Sequence, residues 1–211
     1  MKRALVLATF ALLAATPAAA ERRGFTVTAF DRISVSGPFT VRVTTGRGAS
    51  AYAEGDADAI ERIGVSITGG TLNVRRNVSS WGSFPGEEDD GSAVLHLVTP
   101  ALERASLGGS GSLSIDRMEA GRVTLVLGGS GTLEVGEIDA DRISANIAGD
   151  GRMALAGHAE QGTVTMRGTG VLDAAALTVD NLAISLGGQG TATITADATA
   201  EVSLTGDGEV T

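Results

Sequence analysis

The chain contains no cysteine. That excludes disulfides and thiol catalysis, and it suits an oxidising compartment, where a stray thiol is a liability. Aromatics are scarce, with one Trp, one Tyr and five Phe in 211 residues. Any core must therefore be filled by Leu, Val, Ile and Ala. There is no run of Lys or Arg, and the formal net charge is −9. A chain this acidic offers no footprint for nucleic acid and little attraction to anionic lipid. Past residue 20 no stretch is apolar enough to cross a membrane as a helix.

Glycine, in contrast, is abundant at 30 residues, and much of it recurs in one pattern. The pattern is an apolar residue, a spacer, Gly-x-Gly, a spacer and an apolar residue. Its cores are Gly109-Ser110-Gly111, Gly129-Ser130-Gly131, Gly149-Asp150-Gly151, Gly168-Thr169-Gly170, Gly188-Gln189-Gly190 and Gly206-Asp207-Gly208. The steps between first glycines are 20, 20, 19, 20 and 18 residues. A fixed period near twenty indicates stacked units rather than one irregular core.

The columns of the repeat alternate as strands do. Two residues before the first Gly stand Leu107, Leu127, Ile147, Met166, Leu186 and Leu204. Four before it stand Ala105, Leu125, Ala145, Val164, Ile184 and Val202, and the residue between the two columns is polar in five of six cases. Two past the second Gly stand Leu113, Leu133, Met153, Leu172, Ala192 and Val210. Four past it stand Ile115, Val135, Leu155, Ala174 and Ile194. Period-2 alternation marks a strand with one buried face. Each repeat thus reads as strand, glycine corner, strand, connector, with four inward columns. At a corner, glycine allows positive φ and close approach of one backbone to the next.

These features predict an all-β parallel solenoid (β-helix) with about twenty residues per coil. Twenty residues at about 3.3 Å each give a perimeter near 66 Å, narrow enough for short aliphatics to fill. A meander or β-prism of the same period is the competing architecture.

Residues 1–20 read as a secretory signal that is not part of the fold. Lys2 and Arg3 precede an apolar stretch from Ala4 to Thr16, and Ala18-Ala19-Ala20 supplies a small-residue cleavage site before Glu21. Removing it takes the formal charge from −9 to −11, since Lys2 and Arg3 are its only charged side chains. Residues 21–211 are then one solenoid domain. Residues 25–102 form irregular N-terminal coils, and residues 103–211 carry the six regular corners. Ser36-Gly37-Pro38 stands where later coils have Gly-x-Gly, with Ile33 and Val35 before it and Phe39, Val41 and Val43 after it. Residues 60–63 read as a short helical turn. Val65–Ile67 and Leu72–Val74, split by Gly69-Gly70, read as a hairpin or corner. Residues 75–91 break the pattern and read as a projecting loop.

That loop is the most site-like region. It carries the only Trp, Trp81, with Phe84 and the acidic run Glu87, Glu88, Asp89 and Asp90. Aromatics displayed on a loop can dock a protein or a sugar, so this is the expected partner-binding segment. The Gly-x-Gly cores carry no chemistry of their own. They lack the third glycine and the helix of a dinucleotide fingerprint and the Lys of a P-loop. They also lack the Asp of a calcium-binding nonapeptide, whose position is held by Leu113 or Leu133. Glu134 and Asp173 share one outward column two coils apart, about 9.6 Å at a 4.8 Å spacing. That is near the separation used in glycoside hydrolysis, about 5 to 9.5 Å, and solvated strand charges explain the pair equally well. His96 on a strand and His158 in a connector read as surface histidines. No metal, cofactor or catalytic residue is assigned.

The segment Phe30-x-x-Ile33-x-Val35-x-Gly37-x-Phe39-x-Val41-x-Val43, together with Leu127-x-Gly-Ser-Gly-x-Leu133-x-Val135, resembles the bacterial GIN-domain family of adhesin-like head domains. The resemblance covers essentially all of the chain after the signal. It implies an exported, right-handed β-helix-like domain, and it supplies no catalytic residues. The expected function is a non-enzymatic envelope module, periplasmic or at the cell surface, whose partner is a protein or glycan of the envelope. End-to-end self-association through the C-terminal coil is a further expectation. A polysaccharide lyase or hydrolase is the alternative.

Overall fold

The structure, a computed structural model, describes residues 21–77 and 92–211. The predicted signal and residues 78–91 lie outside the described residues. Four long strands dominate: β9 (Ser112–Gly129), β10 (Thr132–Gly149), β11 (Arg152–Gly168) and β12 (Val171–Gly188). They are followed by β13 (Thr191–Thr205) and β14 (Glu209–Val210). Each long strand runs round one coil and pairs in parallel with the next, in the register Leu113↔Leu133↔Met153↔Leu172↔Ala192. Parallel pairing at this register rules out the meander and prism, because both need antiparallel neighbours. The result is a β-solenoid of about five turns.

The sequence columns become ladders in space. Leu107, Leu127, Ile147, Met166, Leu186 and Leu204 are successive register partners. All but Leu204 are buried. The segment read as a connector is itself strand and adds inward columns. Met118 stands against Ile138 and Val123 against Ile143, and these four are buried too. Their apolar spacing is interrupted at Gly157 and Gly162, which occupy the same columns in β11. That interruption hid the third side of the coil from the periodicity. His158 therefore lies on β11 rather than in a connector.

Corners are built by two different uses of glycine. Gly129 has φ +107°, a conformation L side chains rarely adopt. Gly131 does not need positive φ. A Cβ there would lie 2.5 Å from the Gly111 carbonyl oxygen and 3.0 Å from Leu107 Cδ2. Backbone bonds tie corner to corner, as Ser130 N donates to Gly109 O at 3.1 Å and Asp150 N to Gly129 O at 3.0 Å.

The N-terminal part enters the stack out of order. β2 (Arg32–Ser36) and β3 (Thr40–Thr45) form a coil whose Gly37 corner has φ +121°. It stacks on β8 (Arg104–Gly109) and β9 through Val35↔Leu107 and Val41↔Leu113. The chain then runs outward through β4 (Ser50–Gly55), α1 (Ala57–Glu61), β5 (Ile63–Thr68), β6 (Thr71–Arg76) and β7 (Ala93–Thr99). β6 and β7 lie outside β2 and β3, with Val74 on Val35 and Leu95 on Val41. β5 closes one edge as an antiparallel hairpin turned by Gly69 and Gly70, both at positive φ. β4 and β1 (Glu21–Phe25) close the other, also antiparallel. This end is therefore sealed. A buried Thr99 fastens it, because its Oγ1 donates to the Phe30 carbonyl.

The opposite end is not sealed. β14 and the following Thr211 pair with residues 191–194 of β13. Val202 and Leu204 continue the core columns, yet they are 45% and 49% exposed.

Candidate functional site

Trp81, Phe84, Glu87, Glu88, Asp89 and Asp90 lie outside the described residues. Their flanks are placed: β6 ends one side of the outermost coil and β7 begins the other, where a regular coil would have its Gly-x-Gly corner. The twelve corner glycines (Gly109, Gly111, Gly129, Gly131, Gly149, Gly151, Gly168, Gly170, Gly188, Gly190, Gly206 and Gly208) stack as one edge of the rod. The first glycine of every corner has positive φ. Their middle residues are polar and line up as well, with Thr169 Oγ1 donating to Asp150 Oδ1 of the preceding corner.

Glu134 and Asp173 do share a column, through Glu134↔Ala154 and Ala154↔Asp173. Asp173 is engaged elsewhere, since Arg152 Nη2 donates to its Oδ2 at 3.3 Å. His158 Nε2 lies 3.3 Å from Asp180 Oδ1. His96 stacks on Tyr52 with ring centroids 4.7 Å apart, and the Arg22 guanidinium covers the other side of Tyr52 at 3.7 Å. Partial burial and the nearby cations Arg42 and Arg22 push the His96 pKa down, against the opposing pull of Glu54. Among the described residues no three His, Asp or Glu side chains group to hold a metal ion.

Charged side chains on the outer faces pair along the twenty-residue ladder. Arg117 donates from Nη2 to Glu137 Oε2 at 2.7 Å and lies 3.6 Å from Glu119. The hydrogen bond to Glu137 holds the Arg117 guanidinium still more firmly protonated. Beside it a groove of about 510 Å³ runs between Thr45, Pro100, Leu102 and Asp116. The Asp116 Oδ1 accepts there from Thr45 N at 2.9 Å, Thr45 Oγ1 at 3.2 Å and Arg117 N at 2.7 Å.

No basic cluster is visible along the sequence, yet the fold brings one together. Arg32 lies directly opposite Arg104, and Arg122 directly opposite Arg142. Arg104 is also opposite Thr124, which puts Arg122, two residues earlier on the same face, diagonal to it. Arg32, Arg104 and Arg122 line one cleft of about 210 Å³ with Glu103 and Thr124. The arginines are scattered along the chain and meet only across coils. The one signal in the sequence was the twenty-residue step from Arg122 to Arg142.

A solenoid of parallel coils with glycine corners, capped by antiparallel strands at its N-terminal end and with Thr99 as its buried polar side chain among the described residues, is a repeat scaffold. The chain belongs to the family described as "putative auto-transporter adhesin, head GIN domain", which matches residues 29–211. It is similar in fold to a solved putative adhesin from Bacteroides fragilis, at TM-score 0.76 and 16% identity, over 90% of this chain and 95% of that one. A putative adhesin from Parabacteroides merdae aligns at TM-score 0.63 and 15% identity, over 92% and 97%. A protein from Parabacteroides distasonis described as a putative lipid binding protein aligns at TM-score 0.66 and 17% identity, over 92% and 96%. No curated relative matches the chain by sequence.

Proposed function

We propose that this chain is an exported, non-enzymatic interaction module of the cell envelope, working in the periplasm or at the surface. The carrying observation is the architecture: a rod whose apolar residues are spent on one continuous core and whose outer columns display polar and charged side chains in register. The membership in an adhesin-like family agrees, as does the basic, apolar, small-residue leader in residues 1–20. Among the described residues no helix is long and apolar enough to cross a membrane. The partner is a protein or glycan of the envelope, and the segment holding Trp81, Phe84 and residues 87–90 contributes to the contact.

Retention of the purified protein on envelope fractions tests this. Saturable retention, weakened in Trp81→Ala, is expected. No retention on any fraction, together with turnover of an envelope polysaccharide, would contradict it.

A second copy is the proposed occupant of the open end. Val202 and Leu204 stand exposed in the core columns there, while the other end is closed by antiparallel strands. Association is therefore open end to open end, and it stops at a dimer rather than growing into a filament.

A further inference from the structure

We infer that the cleft formed by Arg32, Arg104 and Arg122 binds the carboxylate of an acidic envelope glycan. The inference rests on the module reading above and names its ligand class. Like charges directly opposite on a sheet destabilise it, yet this acidic chain places Arg32 against Arg104 and Arg122 against Arg142. Arg142 is engaged through Nε to Gln161 Oε1 at 3.1 Å. Arg32 approaches Asp31 only at 3.6 Å, too long for a hydrogen bond. The guanidiniums of Arg104 and Arg122 make no hydrogen bond or ion pair among the described residues. Two free guanidiniums and a third weakly held one thus face a cleft of about 210 Å³.

The residue type narrows the ligand. All cations of the described residues are arginine, since the only lysine is Lys2. A guanidinium presents a planar fork that matches a carboxylate in two parallel hydrogen bonds. Glu103 and Thr124 complete the lining. The Glu103 carboxylate accepts from hydroxyls, and the Thr124 hydroxyl donates or accepts. A sugar that bears an acid beside free hydroxyls satisfies all of them. The cleft has no aromatic for stacking bases and no apolar wall for an acyl chain. Glu103 within it, Asp31 beside it and the net charge of the chain disfavour a dense polyphosphate.

The test is direct binding of polygalacturonate to the full chain by calorimetry. Its methyl ester, inorganic phosphate and single-stranded DNA serve as competitors, alongside retention on envelope fractions. The expected result is binding that falls with salt and with methyl esterification. It should drop tenfold or more in Arg104→Gln and in Arg122→Gln, and less than twofold in Arg152→Gln, which makes the same charge change on another face. The thermal midpoint of Arg104→Gln should be no lower than that of the parent, because repulsion with Arg32 is relieved. Equal binding by Arg104→Gln and the parent, or preference for DNA or phosphate, would overturn the carboxylate site. If envelope retention persists while polygalacturonate binding is absent, this inference falls and the module reading stands. If retention is absent as well, both fall.

Discussion

Gly131 sits directly against the carbonyl of Gly111 in the coil before it, so close that a Cβ would come within 2.5 Å of that oxygen. The arrangement repeats down the corner edge, where a Cβ on Gly151 would lie 2.7 Å from Gly131 O. It sets the spacing at which the aliphatic columns on either side close on one another.

Gly131→Ala should therefore destabilise the fold by about 1–3 kcal/mol through overpacking. Gly128→Ala, three residues away, should change stability by less than about 0.5 kcal/mol, in line with an open surface position. The nearest atom to a Cβ at Gly128 is Leu107 O at 4.0 Å. Urea unfolding of the two variants measures the contrast.

Thr99→Val tests the sealed end. The Thr99 hydroxyl is fully buried and is bonded to Phe30, so its loss leaves the Phe30 carbonyl without that donor. A cost of about 1–3 kcal/mol is expected. Hydrogen exchange should rise first in β2 and β7 rather than in β10.

Stability should fall as the medium is acidified from pH 7 toward pH 5, in part through His96. Its folded-state pKa is lowered, by partial burial first and by Arg42 next, while the unfolded value stays near about 6.5. The unfolded chain thus takes up the proton first. The contribution is fully present above about 6.5, and it is lost as pH falls toward the lower folded value. Thermal midpoints across this range should show a smaller fall in His96→Gln than in the parent.

The sequence was informative where one residue type served one purpose in every repeat. The corner glycines and the Leu107, Leu127, Ile147 column were readable because each coil needs them alike. The third side of the coil was not, because Gly157 and Gly162 replace apolar residues there and Leu182 restores one only a coil later. The outward placement of β6 and β7 was also hidden. Local alternation gives a strand its inner face but does not say which neighbour it joins. The arginine cleft was invisible for the same reason, since its members are joined by stacking and not by sequence proximity.

Open-end pairing predicts that Leu204→Glu shifts the protein toward monomer in sedimentation, because a carboxylate would be placed in the apolar contact. A parent protein that is monomeric at every concentration would contradict the pairing.

Stacking itself is tested most directly by engineered cross-links, which a chain free of cysteine permits without background. Ser130→Cys with Asp150→Cys places thiols at the tips of adjacent corners, about 4.8 Å apart along the rod and within disulfide reach. Ser110→Cys with Asp150→Cys leaves a coil between them, at about twice that spacing. The account predicts near-complete intramolecular oxidation of the first pair and none of the second. Equal oxidation of both pairs, or failure of the first, would contradict it.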